Sequence, residues 1–249
     1  LPRRLVEEVL ADVEAGRGNA RDLLDLGIPG RLPDPRDRDL ARELALGTLR
    51  RLVTLDHLLQ AHARPRLRTF EPRVRAALRV GAYQLLFLDR VPAAAAVHEA
   101  VEGAKRAGGE RAGGLVNAVL RSLQREGGER RDGEGEEEPR RSIPTGDGRH
   151  VLLAKPRLPD PAVDEAAWLA VRWSMPRWIV QRWRASLGPE RAVEALRASA
   201  ARPGLRLQAI PGREAALRDA LGGAGVPFEE EAGGTGGFLL GAGAPGIVG

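Results

Sequence analysis

The chain has 249 residues, 43% of them hydrophobic and 29% charged, with a formal net charge of +5; this is chain enough for two domains and apolar material enough for a buried core. It contains no cysteine, which excludes disulfides, thiolate metal sites and a cysteine nucleophile among these residues. No apolar run approaches the ~18 residues of a membrane helix, and no basic-then-apolar signal segment opens the chain, so a cytoplasmic protein with no membrane contact is expected.

The first 126 residues read as helix almost throughout. Over 2–14, Leu5, Val6, Val9, Leu10 and Val13 make one apolar stripe at helical spacing. Asn19 is placed to cap a short helix carrying Leu23, Leu24 and Leu26, which Gly27 and Pro29 should end. Asp34 and Pro35 supply a cap and a first-turn proline for one long helix with Leu40, Leu44, Leu49, Leu52, Leu55 and Leu59 along it. Pro72 opens the next helix, where Val74, Leu78, Gly81, Leu85 and Leu88 share a face. Gly81 costs about 1 kcal/mol there relative to alanine, which predicts that another helix approaches closely at that point. Pro92 precedes a helix over roughly 94–107 that Gly108 and Gly109 stop, and a last helix over 111–125 turns Leu115, Val119, Leu120 and Leu123 inward. Apolar-striped helices joined by short loops make a bundle.

The segment 127–148 is rich in glycine and charge, with Ile143 as its isolated apolar residue. Such a composition buries too little to offset its ordering entropy and predicts a mobile, charged linker over 127–150. Order resumes at 151–183, which holds all four tryptophans, at 168, 173, 178 and 183. Steps of five residues cannot put them on one helical face. Pro176, with Ser174 as a cap, splits the segment into two helices meeting at a corner. The indoles either pack that corner or leave one ring to stack on a nucleobase. Beyond it, 189–200 reads as helix, 205–210 as strand, 213–225 as helix and 237–240 as strand. This alternation marks a small α/β unit, and its missing partner strands are expected beyond the chain's ends or in 151–158.

Few residues assemble into chemistry. Gly241, Gly243 and Gly246 match G-x-G-x-x-G after a strand, but the motif needs a helix opening at its third glycine and an acidic residue further on. A connecting segment is the better reading. His57 and His62 are five apart, and His98 has Glu99 and Glu102 nearby but no second histidine. With His150 they read as isolated surface residues, and no metal site is expected. Serines are sparse and no nucleophile elbow is present, so no catalytic residue is assigned. Binding remains. Lys and Arg number 39 against 34 Asp and Glu, and only Lys105 and Lys155 are lysines. Guanidinium groups match phosphate and stack on bases, although a GC-rich coding bias gives the same composition. Arg3, Arg4, Arg50, Arg51, Arg79, Lys105, Arg106, Arg121 and Arg125 are the candidates for a basic, RNA-contacting face on these helices.

Four stretches, GTLRRLVTLDHLL (47–59), VRAALRVGAYQLLFLDRVP (74–92), AAVHEAVEGAKRAG (95–108) and GLVNAVLRSLQRE (114–126), resemble in order and spacing the NusB-like domain that opens the RsmB (Sun/Fmu) family of small-subunit ribosomal-RNA cytosine-C5 methyltransferases. LPDP (158–161), LAVRWSMPRWIVQRW and ARPGLRLQAI are similar to that family's connector and its N1 subdomain. The resemblance implies a mainly α fold: a NusB-like RNA-binding bundle over 1–126, then a helical connector and a partial, ferredoxin- or RRM-like α/β subdomain over 151–249. It implies ribosomal RNA as partner, a monomer, and S-adenosylmethionine as cofactor of a catalytic domain absent from this chain, with none bound by the chain itself. Met175 stands where the family more often has histidine, and the acidic insertion is atypical. The missing initial methionine and the end at Gly249 make a fragment the expectation. The alternative is a NusB-like transcription antitermination factor, which has no need of the α/β tail.

Overall fold

The computed structural model describes residues 1–64, 66–201, 205–230 and 236–240. The chain divides into two compact units, Leu1–Ala201 and Arg202–Gly249. It is mainly helical, with two small antiparallel sheets.

The first unit opens with six helices: α1 Pro2–Glu14, α2 Ala20–Arg31, α3 Pro35–Arg50, α4 Leu52–His62, α5 Pro72–Phe87 and α6 Ala93–Glu126. The apolar stripe of α1 goes inward as its spacing predicts, with Leu5, Val6, Val9 and Leu10 all buried. Each such side chain removed from water contributes about 1.5–3 kcal/mol. Asn19 and Asp34 cap α2 and α3 by accepting the backbone N–H of Asp22 and Arg36. α5 is the central helix. From Val74 to Phe87 every residue but Leu85 is buried, and α1, α3, α4 and α6 pack around it. At Gly81 the crossing with α6 is so close that a β-carbon would lie 2.6 Å from Leu120 Cδ1 and 3.0 Å from Ala100 Cβ. The expected break at Gly108–Gly109 is present as a kink inside α6, where Gly109 has a φ of 74°, a conformation that favours glycine.

Local signals mislead at three places in the bundle. α2 does not stop at Gly27 and Pro29 but runs to Arg31 with Pro29 inside it. Pro29 and Asp25 are both exposed, so water can take the carbonyl that the proline leaves unbonded. The long helix expected from Pro35 is two helices, parted at Arg51 (φ −104°, ψ 14°). The cause lies far away in sequence. Ser174 Oγ accepts the N–H groups of Val53 (3.1 Å) and Thr54 (3.4 Å), and Thr54 Oγ1 donates to the Val171 carbonyl (2.5 Å). Ser174 therefore caps α4 as well as ending its own helix, α7 Glu165–Trp173, in a left-handed conformation (φ 55°). It does not begin the next helix, whose N-cap is Pro176.

The expected mobile linker over 127–150 is corrected by a three-stranded antiparallel sheet. β1 Gly128–Asp132 and β2 Ser142–Pro144 flank β3 Arg149–Leu153. Ile143 and Val151 are fully buried, and with Leu153 they join the core of the helical bundle. One dry face suffices because β3 satisfies both neighbours' backbone groups. Arg172 holds the insertion from beneath. Its guanidinium donates to the carbonyls of Ser142 (2.9 Å) and Glu134 (2.7 Å) while lying over the rings of Trp168 and Trp173. His150 is buried and bonds the Gly133 carbonyl, and the side chain of the half-buried His62 is 4% exposed beside Glu126, so neither is the surface residue expected. α7, α8 Arg177–Leu187 and α9 Pro189–Ala200 enclose a second core of Leu169, Ala170, Trp173, Val180 and Leu196.

In the second unit, β4 Arg206–Gln208, α10 Glu214–Gly223, β5 Phe228–Glu230 and β6 Gly237–Leu240 form a sheet of order β4-β6-β5 with its own core of Ala209, Leu221, Val226, Phe238 and Leu240. The strand missing from the sequence reading is β5; residues 151–153 belong to the other sheet. Gly241, Gly243 and Gly246 lie outside the described residues. Among the described residues no helix is long and apolar enough to cross a membrane.

The close crossing at Gly81 gives a direct test. Gly81→Val forces branched carbon into Leu120 and Ala100 and is expected to cost about 1–3 kcal/mol, read as a lower urea midpoint; an unchanged midpoint would contradict this packing.

Candidate nucleic-acid interface

The nine basic residues singled out by sequence fall into three environments. Arg51 and Arg79 are buried. The Arg79 guanidinium spans Asp56 (two contacts of 2.7 Å) and Glu14 (3.1 Å), and Arg51 lies over the Phe87 ring. Burial alone would lower the Arg79 pKa, but its two carboxylate partners raise it. Both residues face the protein interior. Arg3 is half-buried, donating to Gln84 Oε1 (2.8 Å). Arg50 is half-buried in the last turn of α3; Arg121 bonds Gln124 and is exposed with Arg125 on the last turns of α6. Lys105 lies between Glu102 and Glu110 (3.3 Å each).

Arg4 and Arg106 converge. They share a cleft of about 100 Å³ where α1, α5 and α6 meet, together with Arg73, Glu7 and Glu8. Arg73, an exposed first-turn residue of α5, is not among those nine. Its only signal was its position behind Pro72, where a helix's free N–H groups already favour anions. Three guanidinium groups thus come from three helices, and Gly103 lets α6 approach by leaving room for the Glu7 carboxylate.

The two glutamates behave oppositely. Glu7 is 5% exposed, and burial raises its pKa to about 7, opposed by Arg106 and reinforced by Glu8 and Glu99, with Arg4 lowering it again. At Glu8 burial also disfavours the charge, but a hydrogen bond from Arg31 (2.6 Å) prevails and holds the carboxyl below its ordinary range. Glu8 is therefore a fixed negative charge, whereas Glu7 is poised near neutrality. Arg106 reaches Glu7 only at 3.7 Å and is about half exposed, and Arg4 meets Glu8 at 3.3 Å in solvent. The exposed Arg4–Glu8 pair is worth ~0–1 kcal/mol, and Arg106 keeps its guanidinium half in solvent at 3.7 Å from the buried Glu7, so a phosphate can reach both arginines.

Because the folded state raises the pKa of Glu7, its stabilising effect is complete below about 4.5 and is lost as pH rises towards about 7. Urea unfolding from pH 5 to pH 8 should show this decline, and Glu7→Gln should flatten it and be more stable at pH 8 by on the order of 1–3 kcal/mol. Identical pH profiles would mean that Glu7 titrates normally.

Among the described residues no group of three or more His, Asp or Glu could hold a metal ion. Residues 2–125 match the NusB family. The chain is 48% identical over 123 residues to the ribosomal RNA small subunit methyltransferase B of Thermus thermophilus, covering 49% of this chain and 29% of the relative. It is 36% identical over 125 residues to the probable ribosomal RNA small subunit methyltransferase B of Bacillus subtilis, covering 50% and 28%. The chain thus spans less than a third of the length of these curated relatives. A crystal structure of PH0851 shares the fold across 96% of this chain and 48% of its own, with a TM-score of 0.58 and 13% identity. By that family match, residues 2–125, which fold as the bundle α1–α6, are a NusB-family domain.

Proposed function

We propose that this chain is the RNA-binding N-terminal region of an S-adenosylmethionine-dependent methyltransferase that modifies cytosine C5 in small-subunit ribosomal RNA. The observation that carries the reading is the meeting of Arg4, Arg73 and Arg106 at one cleft of a NusB-family domain whose curated relatives are named for that RNA. Arg3 on α1 and Arg121 and Arg125 on the last turns of α6 are further candidates for phosphate contact outside that cleft. Phosphates supply the affinity by displacing counterions and the weak Arg4–Glu8 and Arg106–Glu7 pairs. Bases and RNA shape supply the choice of target.

Methyl transfer is assigned to a catalytic domain of the parent protein, since the family's cysteine chemistry has no cysteine here. An antitermination factor remains the other reading of a NusB-family domain. The identities of 36–48% to proteins named as methyltransferases favour the first.

With about 4–6 basic residues on phosphates, binding of single-stranded small-subunit RNA should follow a log–log salt slope of roughly −3 to −4. Arg4→Gln with Arg106→Gln should weaken binding at low salt and make that slope shallower by about 1.4. A flat salt response in the wild type would remove the basic face, and methyl transfer by this chain alone would remove the division of labour.

A further inference from the structure

The connector carries an aromatic ring that the core does not use. Trp168 donates its indole N–H to the Pro139 carbonyl (2.7 Å), Trp173 is buried and Trp183 packs against the second core. Trp178 is 64% exposed. A lone exposed apolar side chain is ordinary, and the surroundings of this one are what single it out. Residues 178, 181, 182 and 185 lie on one face of α8, and Gln181, Arg182 and Ala185 are exposed beside the ring. α8 has three arginines and no carboxylate. Arg177 is held by Asp164 (2.9 Å) and Arg184 by Glu165 (2.5 Å). Arg182, one turn from Trp178, has no ion-pair partner among the described residues. No side chain caps the first turn of α8, so the ring also stands at the positive end of a helix dipole.

We propose that Trp178 and Arg182 form a second contact for single-stranded RNA: an unpaired base stacks on the indole while Arg182 takes an adjoining phosphate. The assignment rests on the RNA-binding reading above, but it places a contact outside the NusB-family domain. Charge decides the occupant. A face with an unpaired guanidinium and no carboxylate suits a polyanion with flat bases, whereas a protein partner would require an acidic, apolar counterpart. Stacking tolerates any base, so this contact adds affinity and leaves selection to other parts of the interface.

The test uses the 249-residue chain and a mixed-sequence single-stranded oligoribonucleotide. Trp178→Ala is expected to weaken binding about 5- to 150-fold, while Trp178→Phe retains most of the affinity because its ring still stacks. RNA should quench the tryptophan emission of the wild type, and most of that quench should vanish in Trp178→Phe. Arg182→Gln should make the salt slope shallower by about 0.7. Because both side chains are exposed, unchanged melting temperatures are expected. If the wild type binds RNA but Trp178→Ala binds equally well with the quench intact, the stacking site is overturned and the cleft of Arg4, Arg73 and Arg106 stands; that is also the outcome if Trp178 serves a protein partner. If the wild type binds no RNA, both proposals fail.

Discussion

The bundle depends on putting a polar helix at its centre. α5 carries Arg75, Arg79, Tyr83 and Gln84 into the interior, and each finds hydrogen-bond partners there. Arg79 bridges Asp56 of α4 and Glu14 of α1, Arg75 shares Glu14 and bonds the carbonyls of Leu67 and Phe70, and Tyr83 donates to Glu43 of α3. Hydrophobic packing alone would accept several rotations of such a helix. The charge clasp accepts one, because a buried guanidinium without its carboxylates costs about 3–5 kcal/mol. Once α5 is fixed, α6 crosses it closely at Gly81 and α1 meets α6 at Glu7–Gly103, and the cleft of three arginines follows from that arrangement.

The periodic features were legible from sequence. Apolar stripes, the Asn19 and Asp34 caps, the close crossing at Gly81 and the kink at Gly108–Gly109 each depend on residues near one another in the chain. Features set by distant partners were not. The break between α3 and α4 comes from Ser174, and the order of the 128–153 sheet comes from Arg172 and from the bundle beneath Ile143. The composition of 127–148 does suggest disorder when taken alone; it lacks the information that β3 and the bundle supply a partner and a dry face. The basic residues were harder still. A helical wheel cannot tell that Arg79 turns to Asp56 whereas Arg106 stops 3.7 Å from Glu7, because the difference lies in which carboxylates neighbouring helices present.

The two basic regions have different physical characters. The cleft on α1, α5 and α6 has guanidinium groups balanced by Glu7 and Glu8, so in the proposed RNA complex phosphate would compete with carboxylate there, and Glu7 would bias that competition. The α8 face has no such competitor and adds an aromatic ring. One region suits a backbone followed by charge, the other an unpaired base. In the proposed enzyme, this division would let RNA be gripped along its phosphates while a single-stranded segment is held splayed for chemistry carried out by another domain.

RNA bound at the arginine cleft of the NusB-family domain would shield its backbone amides. In hydrogen–deuterium exchange of the chain, with and without a saturating small-subunit RNA fragment, exchange should slow chiefly at residues 1–8, 72–75 and 99–107. Protection that avoids all three segments would place the RNA elsewhere and overturn the proposed interface.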